Sequence, residues 1–225
     1  MERSAMSNTI YVINPNSSTT VTDAIDRALE PLRTPQGPAI ACLTLPDGPA
    51  GIQSQRDVDG VIGPLLRRAG DLEEEAAAFV IACFSDPGLH ALREQSRRPV
   101  FGIAEAGVLT ALTLGQRFGV IAILPTSIPR HLRYFGAMGV MGRFAGDLSI
   151  GLGVAELADE ARTYERMSAT GRALRDAHGA DVIVMGCAGM ARYRRRLQDE
   201  LGVPVVEPTQ AATAMALGRV LLGDR

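Results

Sequence analysis

The sequence predicts an α/β fold of two pseudo-symmetric lobes, each a parallel sheet flanked by helices, with an active site in the cleft between them. Three observations lead there. Short apolar runs alternate with polar stretches of helical period, the pattern of strands and helices taking turns in a parallel sheet. Landmarks of the first half recur in the second half in the same order. Two cysteines, Cys83 and Cys187, each close an apolar run and open onto a turn. In open parallel sheets ligands bind in the crevice beyond the carboxyl ends of the strands. Two thiols placed there can do acid–base work on one molecule from opposite sides.

Thr9 to Ile13 reads as the first strand. Asn14-Pro15-Asn16-Ser17-Ser18 turns it into a helix from Thr19 to about Leu32, with Ser17 or Ser18 as N-cap and Pro31 near its end. Ala39 to Leu45 alternates as a second strand, and Pro46 to Gly51 forms a loop. Helical sequence follows to Ala69 and on toward Glu75. Phe79 to Cys83 is the third strand, ending on its thiol; Leu89 to Arg97 is a helix and Val100 to Ile103 a strand. In the second half, Gly119 to Leu124 is a strand, Pro125-Thr126-Ser127 a turn and Ile128 to Met138 a helix. Leu148 to Leu152 is a weaker strand, and Glu156 to His178 a long amphipathic helix. Asp181 to Gly186 is the strand before the second thiol, Met190 to Leu201 a helix, and Val203 to Val206 a strand. Pro208 suits the first turn of a closing helix that runs to about Leu222.

The repeat is readable residue by residue. Ile13-Asn14-Pro15-Asn16-Ser17 has its counterpart in Ile123-Leu124-Pro125-Thr126-Ser127. Pro99-Val100 follows Cys83 at nearly the interval at which Pro204-Val205 follows Cys187, and each of those strands leads to a glutamate, Glu105 or Glu207. The repeat reads as two similar α/β lobes facing each other, with the thiols meeting across the gap.

Composition narrows the function. The chain has 225 residues, 46% hydrophobic and 21% charged, as in an ordinary globular protein. A net charge of −2, 4% aromatic residues and no Trp argue against a nucleic-acid partner. No stretch approaches the roughly 18 apolar residues of a membrane helix, and the first eight residues lack a signal-peptide core. Cysteines at 42, 83 and 187 make neither a disulfide framework nor a metal knuckle, which suits a reducing cytoplasm. His90, His131 and His178 sit in polar helical contexts without metal-ligand spacing and are assigned to surfaces.

The blocks Ile13-Asn14-Pro15-Asn16-Ser17, Ile81-Ala82-Cys83-Phe84-Ser85-Asp86-Pro87-Gly88, Gly102-Ile103-Ala104-Glu105-Ala106 and Gly186-Cys187-Ala188-Gly189-Met190 carry a resemblance. Together they resemble the hydantoin racemase branch of the aspartate/glutamate racemase superfamily, in the family's order from Ile10 onward. The resemblance implies a cofactor-independent racemase of five-membered cyclic ureides, hydantoins or allantoin, with one lobe of residues 1–103 to which the closing helix, 208–225, returns, and a second of residues 104–207; a homo-oligomer is expected. Alternatives within the superfamily are maleate-type cis–trans isomerisation or amino-acid racemisation; outside catalysis, a small-molecule sensor could use the same scaffold.

Inverting a carbon next to a carbonyl needs a base on one face and an acid on the other, and a thiolate and a thiol can exchange those roles. Cys83 and Cys187 are the catalytic candidates. Free cysteine has a pKa of about 8.5, so amide N–H groups at the following turns are expected to draw one thiol toward neutrality. Those amides, with Ser85, Thr126, Ser127 and Gly189, are candidates to hold carbonyl oxygens where enolate charge develops. Asn14, at a strand's carboxyl end, and Ser17 are candidate substrate contacts, while Phe84 and Ala188 beside the thiols suit a weakly charged ring. No metal or organic cofactor is expected. Cys42, mid-strand, reads as core. Glu105 and Glu207 read as helix-start carboxylates and Asp86 as an N-cap.

Overall fold

A computed structural model describes residues 9–223, and each half builds a four-stranded parallel sheet with two layers of helix. In the first sheet the strands are β1 (Thr9–Asn14), β2 (Ala39–Thr44), β3 (Ala76–Ile81) and β4 (Val100–Gly102), in spatial order β2-β1-β3-β4. In the second they are β5 (Phe118–Ala122), β6 (Phe144–Ser149), β7 (Val182–Met185) and β8 (Val205–Val206), in the matching order β6-β5-β7-β8. The repeat seen in the sequence is therefore a repeat of topology. In each sheet the order reverses between the first and third strands, with Ile13 opposite Ile81 and Ile121 opposite Met185. That reversal opens a crevice at the strands' carboxyl ends.

Alternation along β1 shows how the sheets are sandwiched. Tyr11 and Ile13 pack with Leu65, Ala69 and Leu72 of α3 (Ile62–Leu72) and with Leu89 and Leu92 of α4 (Leu89–Gln95). Ile10 and Val12 face the other way, onto Ile25 of α1 (Thr19–Ala28) and Ala212 and Ala216 of α9 (Pro208–Leu221). Successive strand residues point to opposite faces, and both faces are covered, so β1 and β3 are apolar throughout. In the second sheet, Val120 packs with Val108 and Ala111 of α5 (Ile103–Leu114) and Phe135 of α6 (Ile128–Ala137). Ile121 faces Met167 and Leu174 of α7 (Glu160–Asp176) and Leu197 of α8 (Arg194–Leu201). The closing helix α9 thus lies against the first sheet and along α5. Among the described residues no helix is long and apolar enough to cross a membrane.

Several boundaries differ from the sequence reading. Both thiol strands stop at Ile81 and Met185, so each cysteine stands two residues beyond its strand, in the turn itself. The helical stretch after Gly51 breaks at Val61 into α2 (Gln55–Gly60) and α3. The strand placed at Leu148 to Leu152 begins earlier, at Phe144. Single 3-10 turns stand at Glu30–Leu32, Val154–Ala158 and Ala188–Tyr193 where continuous helix was expected. The N-terminal eight residues, read above as lacking a signal-peptide core, lie outside the described residues.

Candidate active site

Both thiols open on one cavity, between the carboxyl ends of the two sheets. Its lining includes Asn16, Cys83, Phe84 and Ser85 from the first half, and Ser127, Arg130, Cys187, Ala188 and Gly189 from the second. A larger groove of ≈ 680 Å³ holds neither thiol; it runs past Arg27, Arg192 and Glu207 instead.

The two thiols have closely matched surroundings. Cys83 accepts the backbone N–H of Ser85, and Cys187 accepts that of Gly189, in each case from two residues ahead. The turn that follows each strand bends the chain so that this amide faces the sulfur. Burial acts against the amides: it pushes the Cys83 thiol up to about 12 and the Cys187 thiol up to about 11. At Cys83 the N–H of Ser85 and the charge of Arg130 pull the other way, against Cys187 and the Asp86 carboxylate. The amides expected from the sequence are there with the expected sign, but desolvation of a thiolate outweighs them. At rest both groups are thiols.

Asp86 is the residue that holds the first thiol turn. It has a positive φ of 41°, a conformation that Asp tolerates better than most residues. Its buried carboxylate accepts the N–H groups of Ala104 (2.9 Å) and Glu105 (2.8 Å), at the start of α5, and the Tyr134 hydroxyl (2.8 Å). The sequence reading made Asp86 the cap of its own helix. It caps a different one, because the turn points its side chain across β4; Gly88 precedes α4 instead. Burial raises the Asp86 carboxyl to about 6 despite these three donors. Gly102 leaves the space it needs, since a Cβ there would lie 2.2 Å from the carboxylate. In the second half Glu207 does cap its own helix, accepting from Thr209 (3.0 Å) and Gln210 (2.6 Å). Glu105 sits in the first turn of α5 and pairs with Arg93 at 2.5 Å.

Three of the expected contacts stand outside the lining. The Asn14 side chain is consumed locally: its amide lies 3.0 Å from both Asn16 Oδ1 and Thr22 Oγ1, and its Oδ1 accepts the Asn16 N–H. Asn16, two residues further, reaches the cavity in its place. Ser17 is anchored through its backbone N–H to Pro49 (2.9 Å), and Ser18 is the N-cap of α1. Thr126 is exposed and donates to the Gln53 carbonyl at 3.3 Å. Cys42 is partly buried against the α1 and α9 layer, and burial raises it to about 12.

Other lining residues had no local signal. Ile52 comes from the loop after β2, and Val154 from the loop after β6, where Glu156 holds the Gly153 N–H at 2.8 Å. Arg130 reaches in from α6, its guanidinium donating to the carbonyls of Thr126 (2.8 Å) and Gln53 (3.3 Å) and to Ser127 Oγ (3.3 Å). Its Nε is buried without a partner. His131, assigned to a surface from its polar neighbours, is instead buried, with Nδ1 2.6 Å from Asp147 Oδ2 on β6. Its ring meets Phe84 edge-on at 5.1 Å. The pattern Arg-His-Leu-Arg hides it, because the inward face of α6 carries polar side chains that find partners only in three dimensions.

The chain is similar in sequence and structure to known racemases. The family model described as Asp/Glu/Hydantoin racemase matches residues 10–216. A hydantoin racemase from Paenarthrobacter aurescens is 37% identical over 219 residues, 95% of this chain and 92% of that protein. The allantoin racemase structure from Klebsiella pneumoniae is 32% identical with a TM-score of 0.89, covering 96% of this chain and 89% of that one. The allantoin racemase structure from Pseudomonas fluorescens is 26% identical with a TM-score of 0.91, covering 96% and 92%.

Proposed function

Given that the chain belongs to the Asp/Glu/hydantoin racemase family and is a racemase, we propose that it inverts the carbon next to a carbonyl in a cyclic ureide, a 5-substituted hydantoin or allantoin. The observation that carries this reading is the pair of thiols on one cavity, each facing an amide N–H from two residues ahead. One sulfur, as thiolate, takes the proton from the ring carbon. The electron pair moves onto the neighbouring carbonyl oxygen as an enolate. The opposite thiol then gives its proton to the other face as the carbonyl re-forms, leaving the charge on the second sulfur. The roles are exchanged for the next molecule of the opposite hand.

The surroundings fit such a ring. The lining offers amide N–H groups, Ser85, Ser127 and Asn16 for ring carbonyls and ring N–H groups, with Phe84 and Ala188 against its faces. Donors aimed at a developing oxyanion are worth most where water is excluded. The ring carbonyl supplies the acidity of the carbon, so the proposed step needs no metal or pyridoxal group. Asn14 acts at one remove, by fixing the loop that presents Asn16. The division into lobes at 103/104 and 207/208, a cytoplasmic location and a homo-oligomeric state belong to the same reading.

Polarimetry of the purified protein with single enantiomers of allantoin and of several 5-substituted hydantoins tests it. Optical rotation should decay to zero from both sides for at least one of them, after dialysis against a chelator. Rotation that stays constant for all of them, or decay only on addition of a divalent metal, contradicts it.

A further inference from the structure

The space around the thiols is narrow, ≈ 40 Å³. A ring held between the thiols fills it, and the wider space open to a substituent on the inverted carbon is next door. Beside it lies a second cavity of ≈ 250 Å³, and the two share Phe84, Ser85, Arg130 and His131. Val58, Ala137 and the Tyr134 ring give the second cavity an apolar wall. At its rim Arg133 Nη2 donates to Gln55 Oε1 at 2.8 Å, joining α6 to α2.

The charge of this lining is one-sided. Two arginines face it and no carboxylate does, among the described residues. The acids that touch its lining residues lie behind them and are engaged there: Asp59 accepts from Gln55 (2.8 Å), Asp86 from Tyr134 (2.8 Å), and Asp147 lies 2.6 Å from His131 Nδ1. Arg130 is tied to two carbonyls and a hydroxyl, with its buried Nε still unpartnered where the two cavities meet.

We propose that this side cavity is the subsite for the substituent on the inverted carbon, and that Arg130 and Arg133 make it select substituents ending in a carboxylate. The proposal rests on the racemase reading above. A short methylene chain would lie along Val58 and Ala137, and its carboxylate would reach the Arg133 guanidinium. A hydrogen bond to an ionised acceptor is roughly twice as strong as its neutral counterpart, so an amide of the same shape is the proper control.

The test measures kcat/KM for racemisation of 5-(2-carboxyethyl)hydantoin and of 5-(2-carbamoylethyl)hydantoin. At low ionic strength the acid should be favoured about fivefold or more, and added salt should shrink the ratio. Arg133 lies on the exposed side of α6, so its variants should fold. In Arg133→Ala the ratio should fall to within about twofold of unity, and in Arg133→Glu the amide should be preferred. Equal use of acid and amide by the unaltered protein, or a preference that survives both substitutions, overturns the subsite assignment alone. Failure to racemise these two compounds, allantoin and neutral 5-alkyl hydantoins overturns the racemase reading and the subsite with it.

Discussion

At the scale of single residues, the site is a contest between burial and backbone amides around two sulfurs. Burial holds Cys83 up to about 12 and Cys187 up to about 11, although Ser85 and Gly189 each direct an N–H at the sulfur. In the proposed mechanism the working base is a thiolate, so its fraction grows with pH throughout the range below those values. The expected outcome is kcat/KM rising about tenfold per pH unit from pH 7 to 9, past the ~8.5 where a free thiol would level off. A plateau below pH 8 would show that the thiols are less buried in the working enzyme than described. The same displacement bears on stability. The folded thiols hold protons more tightly than the unfolded ones, so their contribution is full below about pH 8.5 and is lost as pH rises toward 11–12. Asp86 is the other decisive residue. Asp86→Ala would strand two amides of α5 and the Tyr134 hydroxyl, and urea denaturation should register a loss of about 2–4 kcal/mol.

Among the elements, those with strong periodicity or a clear cap were legible in the sequence, and α5 was not. Ile103–Leu114 is apolar on nearly every face, because it is packed between α9 and the second sheet. Its solvent side is apolar too, with Leu109 and Leu114 exposed, so no 3.6-residue contrast is there to read. Its cap, Asp86, comes from a distant turn, so Glu105 in the first turn was the one local mark of its start. The strand-end thiols were legible because a short apolar run stopping at Cys and followed by turn residues has few other readings. The buried His131–Asp147 pair was invisible, since only folding brings α6 onto β6. The packing of α5 makes its own prediction. A Cβ on Gly107 would stand 2.9 Å from the Pro208 ring, so Gly107→Val should force α5 and α9 apart. Overpacking of this kind costs about 1–3 kcal/mol, measurable as a lowered denaturation midpoint; an unchanged midpoint would mean the two helices yield freely.

For the molecule as a whole, the duplicated topology is what makes a two-sided site available. Each sheet ends its third strand in a cysteine turn, and the two halves are joined around the cavity rather than merely facing each other. The Gln53 carbonyl of the first half accepts from Thr126 and Arg130 of the second, Gln55 meets Arg133, and Asp86 reaches Tyr134. Helices α5 and α9 pack together as well. Ligands bound between so joined a pair would be held from both faces, which is the geometry that inversion requires. The central claim is that Cys83 and Cys187 serve opposite faces of one ring, and heavy water tests it most directly. Each pure enantiomer of a turned-over substrate is incubated with Cys83→Ser and with Cys187→Ser, while rotation and loss of the ring-carbon proton are followed together. Neither folded variant should racemise, because serine is too weak an acid and base near neutral pH. Each should still exchange that proton for deuterium with retention, one variant for one enantiomer and the other for its mirror image. Racemisation at the unaltered rate by either folded variant, or exchange of the same enantiomer by both, would contradict the account.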